Sequence, residues 1–221
     1  MDFPSDLFPA AILWPANVLL LFVVAAAARR TPVAWLRSNE FTHVYFAACV
    51  VLLLLWNTDV GVLPAINFHF LGVTAITLMF GWPYAVWAVV LVSAGSLINE
   101  GGGWEAIGLN ALVAGCVPIL VTQRLLAMAR RRLPHNFFVY IYVNGFLAAG
   151  LSTLSAALLG AGLVRLVDSS SSQWLSYQYY PFFPLIFFSE AFVNGIIMTA
   201  LVAFKPGWVS SFDDRLYLDN K

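Results

Sequence analysis

Seven runs of about 20 mostly apolar residues dominate this chain, and no other feature constrains its fold as strongly. A run of that length is what an α-helix needs to cross the hydrocarbon core of a bilayer. Inside that core only helices or closed barrels satisfy every backbone N–H and C=O. The runs cover 9–28, 41–57, 62–81, 82–99, 105–128, 137–166 and 181–204. The pattern predicts an all-α integral membrane protein, a bundle of about seven transmembrane helices forming a single transmembrane domain over 1–221. Between the third and fourth runs stand only Gly81, Trp82 and Pro83, the signature of a tight turn in a transmembrane hairpin. The run at 137–166 is long enough to tilt strongly or project beyond the bilayer.

Composition closes off the soluble alternatives. Hydrophobic residues make up 61% of the 221 and charged residues 10%, where about 45–50% and 25% are usual for soluble domains. So few charges cannot coat a water-facing surface, which excludes a soluble enzyme, a nucleic-acid-binding module and a disordered chain. Eleven Lys+Arg balance eleven Asp+Glu, so no basic excess points to nucleic acid. Cys49 and Cys116 both lie within apolar runs and read as small core hydrophobes.

The basic residues set the orientation. Arg29, Arg30 and Arg37 follow the first run, Arg124, Arg130, Arg131 and Arg132 close the fifth, and Lys205, Arg215 and Lys221 follow the seventh. Only Arg165 falls on the other side. The positive-inside rule then places the N-terminus outside and the C-terminus in the cytoplasm. The first run is not expected to be a cleaved signal, because its positive charge follows the apolar stretch instead of preceding it. The retained N-terminus would then present a free α-amine on the outer face. After the polar Ser169–Ser172 stretch, Trp174, Tyr177, Tyr179 and Tyr180 form an aromatic cluster suited to a membrane interface.

Polar groups inside spans are costly and mark function or helix–helix hydrogen bonding. His69, in Asn67-Phe68-His69-Phe70-Leu71-Gly72, is the most informative. In a continuous helix Gly72 would share its face, and neutral imidazole is the commonest metal ligand. A histidine bonded to a backbone carbonyl is the plainer alternative. Glu190 and Asn194, spaced i, i+4, stack on one face of the last span, with interhelical bonding as their plain reading. Asn17, Asn110 and Asn144 are single amides inside spans with the same plain reading. His43 and His135 read as structural and loop residues. Asn99-Glu100-Gly101-Gly102-Gly103-Trp104-Glu105 is either a flexible outer turn or an edge closing over a central site. Neither Walker A, nor zinc-binding Cys/His spacing, nor His-Glu-x-x-His occurs, so no enzymatic chemistry and no ATP hydrolysis is expected of the chain itself.

Three ordered motifs carry a resemblance: His69-Phe70-Leu71-Gly72, then Gly102-Gly103 leading into Ile107-Gly108-Leu109-Asn110, then Glu190-Ala191-Phe192-Val193-Asn194-Gly195. Over roughly 65–205 the chain resembles the CbiM/NikM family, the substrate-binding membrane subunits of cobalt and nickel energy-coupling-factor transporters. The resemblance implies a subunit of the bacterial cytoplasmic (inner) membrane that captures a divalent transition metal, nickel or cobalt, as transported substrate. It implies separate ATPase and transmembrane coupling subunits as partners in the lipid bilayer, and neither an organic cofactor nor nucleic acid. Family members begin Met-His-Ile-Pro-Asp-Gly and hold the metal with the α-amine, the second residue and the central-span histidine. The ligands implied here are Met1, Asp2 and His69. This chain begins Met1-Asp2-Phe3-Pro4-Ser5-Asp6, so a carboxylate stands where the family has an imidazole. Nickel and cobalt favour nitrogen donors in such sites. That departure keeps a second reading open, a divergent accessory or assembly subunit that no longer transports.

Overall fold

The computed structural model describes residues 3, 5–57, 70–100, 103–167, 173, 175–213 and 217. Among these every regular element is helical. Seven helices follow one another: α1 (Ala10–Arg30), α2 (Asn39–Trp56), α3 (Val73–Phe80), α4 (Trp82–Glu100), α5 (Trp104–Arg132), α6 (Phe137–Val167) and α7 (Leu175–Phe204). Five of them, α1, α2, α5, α6 and α7, are long and apolar enough to cross a membrane, and α4 carries a shorter apolar stretch, Trp82–Ile98. Their outward faces are greasy: Leu21, Phe22, Leu54, Phe188 and Phe204 are all largely exposed, as suits helices bathed in lipid.

α3 departs from the sequence expectation. A spanning helix over 62–81 was expected; residues 62–69 lie outside the described residues, and of the rest the helix takes only Val73–Phe80. Eight residues rise about 12 Å, well short of a membrane. Gly72 precedes it with φ +63°, a left-handed conformation that glycine adopts without steric cost. Phe70–Gly72 are not helical, so no continuous helix runs back through Gly72, and His69 itself lies outside the described residues. All eight α3 residues are buried. At the other end Gly81, with φ +80°, alone separates α3 from α4, so the expected hairpin turn is present.

α3 is the hub of the bundle. Thr74 Oγ1 lies 2.9 Å from Thr122 Oγ1 of α5 and 2.9 Å from Ser152 Oγ of α6, a fully buried hydroxyl cluster joining three helices. Its C-terminal carbonyls are also taken up. Ser210 N–H donates to Met79 O at 2.9 Å and Ser211 N–H to Leu78 O at 3.1 Å, so the segment after α7 straps that end. Tyr140, Phe212 and Tyr217 pack the strap with rings about 5 Å apart, and the Tyr140 hydroxyl lies 2.6 Å from Ser211 Oγ.

Two other expectations change. Asn144 was read as a helix–helix hydrogen bonder, yet its buried amide has no partner at either atom among the described residues. It lies in Tyr140–Leu147, a wide π-helical stretch of α6 that includes Gly145. Of the interfacial aromatic cluster, Tyr177 is exposed but Tyr179 is fully buried, its hydroxyl donating to Ala157 O of α6 at 3.3 Å. Ser169–Ser172 and Trp174 lie outside the described residues.

Candidate functional site

At the end of the bundle opposite the arginines, side chains from three helices take hold of backbone from other segments. Phe3 is buried in the helix bundle, and its backbone is clamped on both sides by one side chain. Its N–H donates to Asn110 Oδ1 at 2.9 Å, and its C=O accepts from Asn110 Nδ2 at 3.1 Å. The amide thus behaves like a strand neighbour, satisfying the donor and acceptor that burial would otherwise orphan. The Phe3 ring stacks edge-on against Phe8, 5.5 Å away, and meets Gly160 of α6, where a Cβ would stand 2.8 Å from the ring. Ser5 packs against Gly103 so closely that a Cβ there would lie 2.7 Å from Ser5 Cβ. The Gly103 edge therefore closes onto the N-terminal segment instead of standing free in solvent.

Asn17 performs the same service one layer down. Its Nδ2 donates to Leu13 O at 2.9 Å and Glu105 O at 2.7 Å, and its Oδ1 accepts from Gly108 N–H at 3.0 Å. α1 and the start of α5 touch backbone to backbone there. A Cβ on Gly108 would sit 2.6 Å from both the N and Cα of Asn17.

The third hold is on the turn that opens α3. Glu190 of α7 is 2% exposed. Its two oxygens accept from Leu71 N–H at 2.9 Å and Gly72 N–H at 2.7 Å. Asn194, one turn on, donates to Glu190 Oε1 at 2.7 Å and accepts from Ala75 N–H at 3.1 Å. Together they satisfy N–H groups that a helix start leaves unpaired, and they set negative charge against its dipole. Trp56 Nε1 of α2 donates to Leu71 O at 3.0 Å. Both polar groups of Leu71 are thus held by side chains of other helices. The interhelical reading of Glu190 and Asn194 is what the geometry shows, and its target is the backbone beside position 69.

Met1, Asp2 and His69 lie outside the described residues. What the structure describes is backbone next to them in sequence, Phe3 held by Asn110 and Leu71–Gly72 held by Glu190 and Trp56. Among the described residues no three His, Cys, Asp or Glu side chains cluster as a metal site. His43 bonds the Asn39 carbonyl at 2.6 Å, and the half-buried His135 lies 3.0 Å from Arg130 O. Sequence reasoning missed Phe3, Ser5, Trp56 and the hydroxyl cluster. Only Phe3 left a trace, as the one aromatic among the first six residues.

A helical bundle of this kind, with its short central helix held at both ends, defines a multi-pass membrane protein. Two solved structures share the fold. A crystal structure of a transition metal transporter superimposes with TM-score 0.77 at 13% identity, covering 92% of this chain and 93% of its own. A truncated transition metal transporter gives TM-score 0.73 at 13% identity, covering 92% and 99%. Residues 2–208 match the family model CbiM, the cobalt uptake substrate-specific transmembrane region, and the chain belongs to that family. It is a membrane component of metal uptake, and its family is a transporter component. None of the curated proteins matches the sequence.

Proposed function

We propose that the chain is the substrate-capture subunit of an energy-coupling-factor transporter for a divalent transition metal of the nickel and cobalt class. In this reading it lies in the bacterial inner membrane with its arginine-rich end in the cytoplasm, and works with separate ATPase and transmembrane coupling subunits. The metal is substrate, and its ligands are the Met1 amine, Asp2 and His69.

The observation that carries the reading is the double clamp of Asn110 on Phe3. It commits Phe3 to the interior of the bundle, and two residues of chain span no more than about 7 Å. The α3 entrance supports it from the other side. Ser152 meets Thr74 and Gly160 meets Phe3 on the same face of α6, eight residues or about 12 Å apart along that helix. α3 runs back from Phe80, beside Arg30 and Arg130, to Val73 at its far end. Glu190 and Trp56 hold the backbone just before it, at Leu71.

The test is metal content by elemental mass spectrometry on detergent-purified protein with an untagged N-terminus. About one equivalent of nickel or cobalt is expected, lost in His69→Ala and reduced in Asn110→Ala, which frees Phe3 without removing a ligand. Protein that stays metal-free after loading with each ion overturns capture and leaves the accessory-subunit reading. Full retention in His69→Ala removes His69 from the site.

A further inference from the structure

At the arginine end a recess of about 280 Å³ opens between the end of α1, the α3–α4 turn, the last turns of α5 and the Ser210–Ser211 strap. Two arginines from different helices, Arg30 and Arg130, line it, and no acidic side chain does. Neither forms an ion pair among the described residues. Arg130 gives one N–H to the Ser211 carbonyl, which aims its guanidinium along the strap and leaves its remaining donors to spare. Both side chains are otherwise exposed. Trp35 and Trp82, amphipathic rings of the kind that settle at headgroup depth, form the walls beside them.

The recess does not end at the arginines. A second cavity of about 580 Å³ shares Trp35, Phe80 and Ser210 with it and continues along Phe41, Val44 and Met79. One compartment is cationic; the next is mostly apolar, with Ser38 and Glu40 also in its lining, and the two adjoin at their shared walls. A small anion uses only the first. An amphiphile with a phosphate head and a hydrocarbon body uses both. Basic pockets between transmembrane helices hold anionic headgroups for this reason, and Arg binds phosphate through paired N–H donors.

We infer that Arg30 and Arg130 form a binding site for the headgroup phosphate of an anionic phospholipid from the leaflet at the arginine end. The lipid bridges α1 and α5 and lies against the strap that holds α3. Occupancy of this site therefore bears on the helix whose other end Glu190 caps.

The experiment is native mass spectrometry of the delipidated full chain, titrated with phosphatidylglycerol and with phosphatidylcholine of the same acyl chains. Native protein should bind phosphatidylglycerol preferentially. Arg30→Gln/Arg130→Gln should weaken that binding about 30-fold, the equivalent of about 2 kcal/mol at about 1 kcal/mol per arginine. Because Arg130 also touches the strap, Arg30→Gln alone is the cleaner variant and should cost about 5-fold. Arg124→Gln/Arg131→Gln, which removes the same charge outside the recess, should cost little. Equal binding of the two lipids, or an equal loss in the control pair, overturns the site. Displacement of phosphatidylglycerol by low-millimolar inorganic phosphate overturns the lipid and assigns the recess to a free anion.

Discussion

The carboxylate of Glu190 is the most informative single group to perturb. All three of its partners, the N–H groups of Leu71 and Gly72 and the side-chain amide of Asn194, are donors, the complement of an acceptor-only carboxylate. Glu190→Ala leaves three donors unpaired in a site closed to water. At about 1–3 kcal/mol for each buried unsatisfied group, the loss is about 3–6 kcal/mol after the turn relaxes. Glu190→Gln keeps one oxygen and turns the second acceptor into a donor. One of the three donors then faces an NH2 group, a loss of about 1–3 kcal/mol. For a chain of this size about 2–4 °C of melting temperature accompanies each kcal/mol. The glutamine variant should therefore melt about 2–12 °C below native protein in detergent, and the alanine variant lower still. The assay is thermal unfolding followed by tryptophan fluorescence, since Trp56 contacts the same turn through Leu71. Metal retention measured alongside should fall in the same order. A glutamine variant as stable as native protein, with metal retention intact, would refute the claim that this carboxylate holds the α3 entrance.

Two further perturbations test close approaches. Gly108→Ala drives a Cβ to within 2.6 Å of Asn17 backbone atoms, which cannot swing aside as a side chain can. α1 and α5 must separate, and the variant should melt at least about 5 °C lower or fail to fold; a native melting temperature would mean that the helices are not in backbone contact. Gly103→Ala should lower metal retention by crowding Ser5, whereas Ser5→Gly/Gly103→Ala should restore it, because the crowding atoms belong to the Ser5 side chain. Failure of the double variant to recover would detach the loop edge from the N-terminal segment.

The long helices were legible because each is a nearly unbroken apolar run with polar flanks, and lipid exposure demands nothing more of a sequence. α3 was not. Hydropathy measures how greasy 62–81 is, but the helix start is set by Gly72 and by two polar residues more than a hundred positions away, Glu190 and Asn194. The pairing of those two on one face was readable from their spacing, and the backbone they hold was not. Asn110 shows the same limit. It looked like one more intramembrane amide, whereas it bonds the backbone of Phe3, 107 residues earlier. Thr74, Thr122 and Ser152 carried no signal at all, because single hydroxyls in apolar helices are common and only the fold brings these three together. The proposed ligands Met1, Asp2 and His69 came from family resemblance, and the structure adds the holds on Phe3 and on Leu71–Gly72, their neighbours in sequence.

The two-ended grip on α3 has a consequence for how the chain is made. Too short to cross a bilayer, α3 is not a segment that a membrane accepts on hydrophobicity alone. Its entrance is capped by Glu190 and its exit by Ser210 and Ser211, all more than a hundred residues further along the chain than α3. The centre of the bundle is thus synthesised early and completed late. Until α7 and the strap arrive, the polar ends of α3 have none of these partners. Maturation of the interior waits on α7 and the strap that follows it.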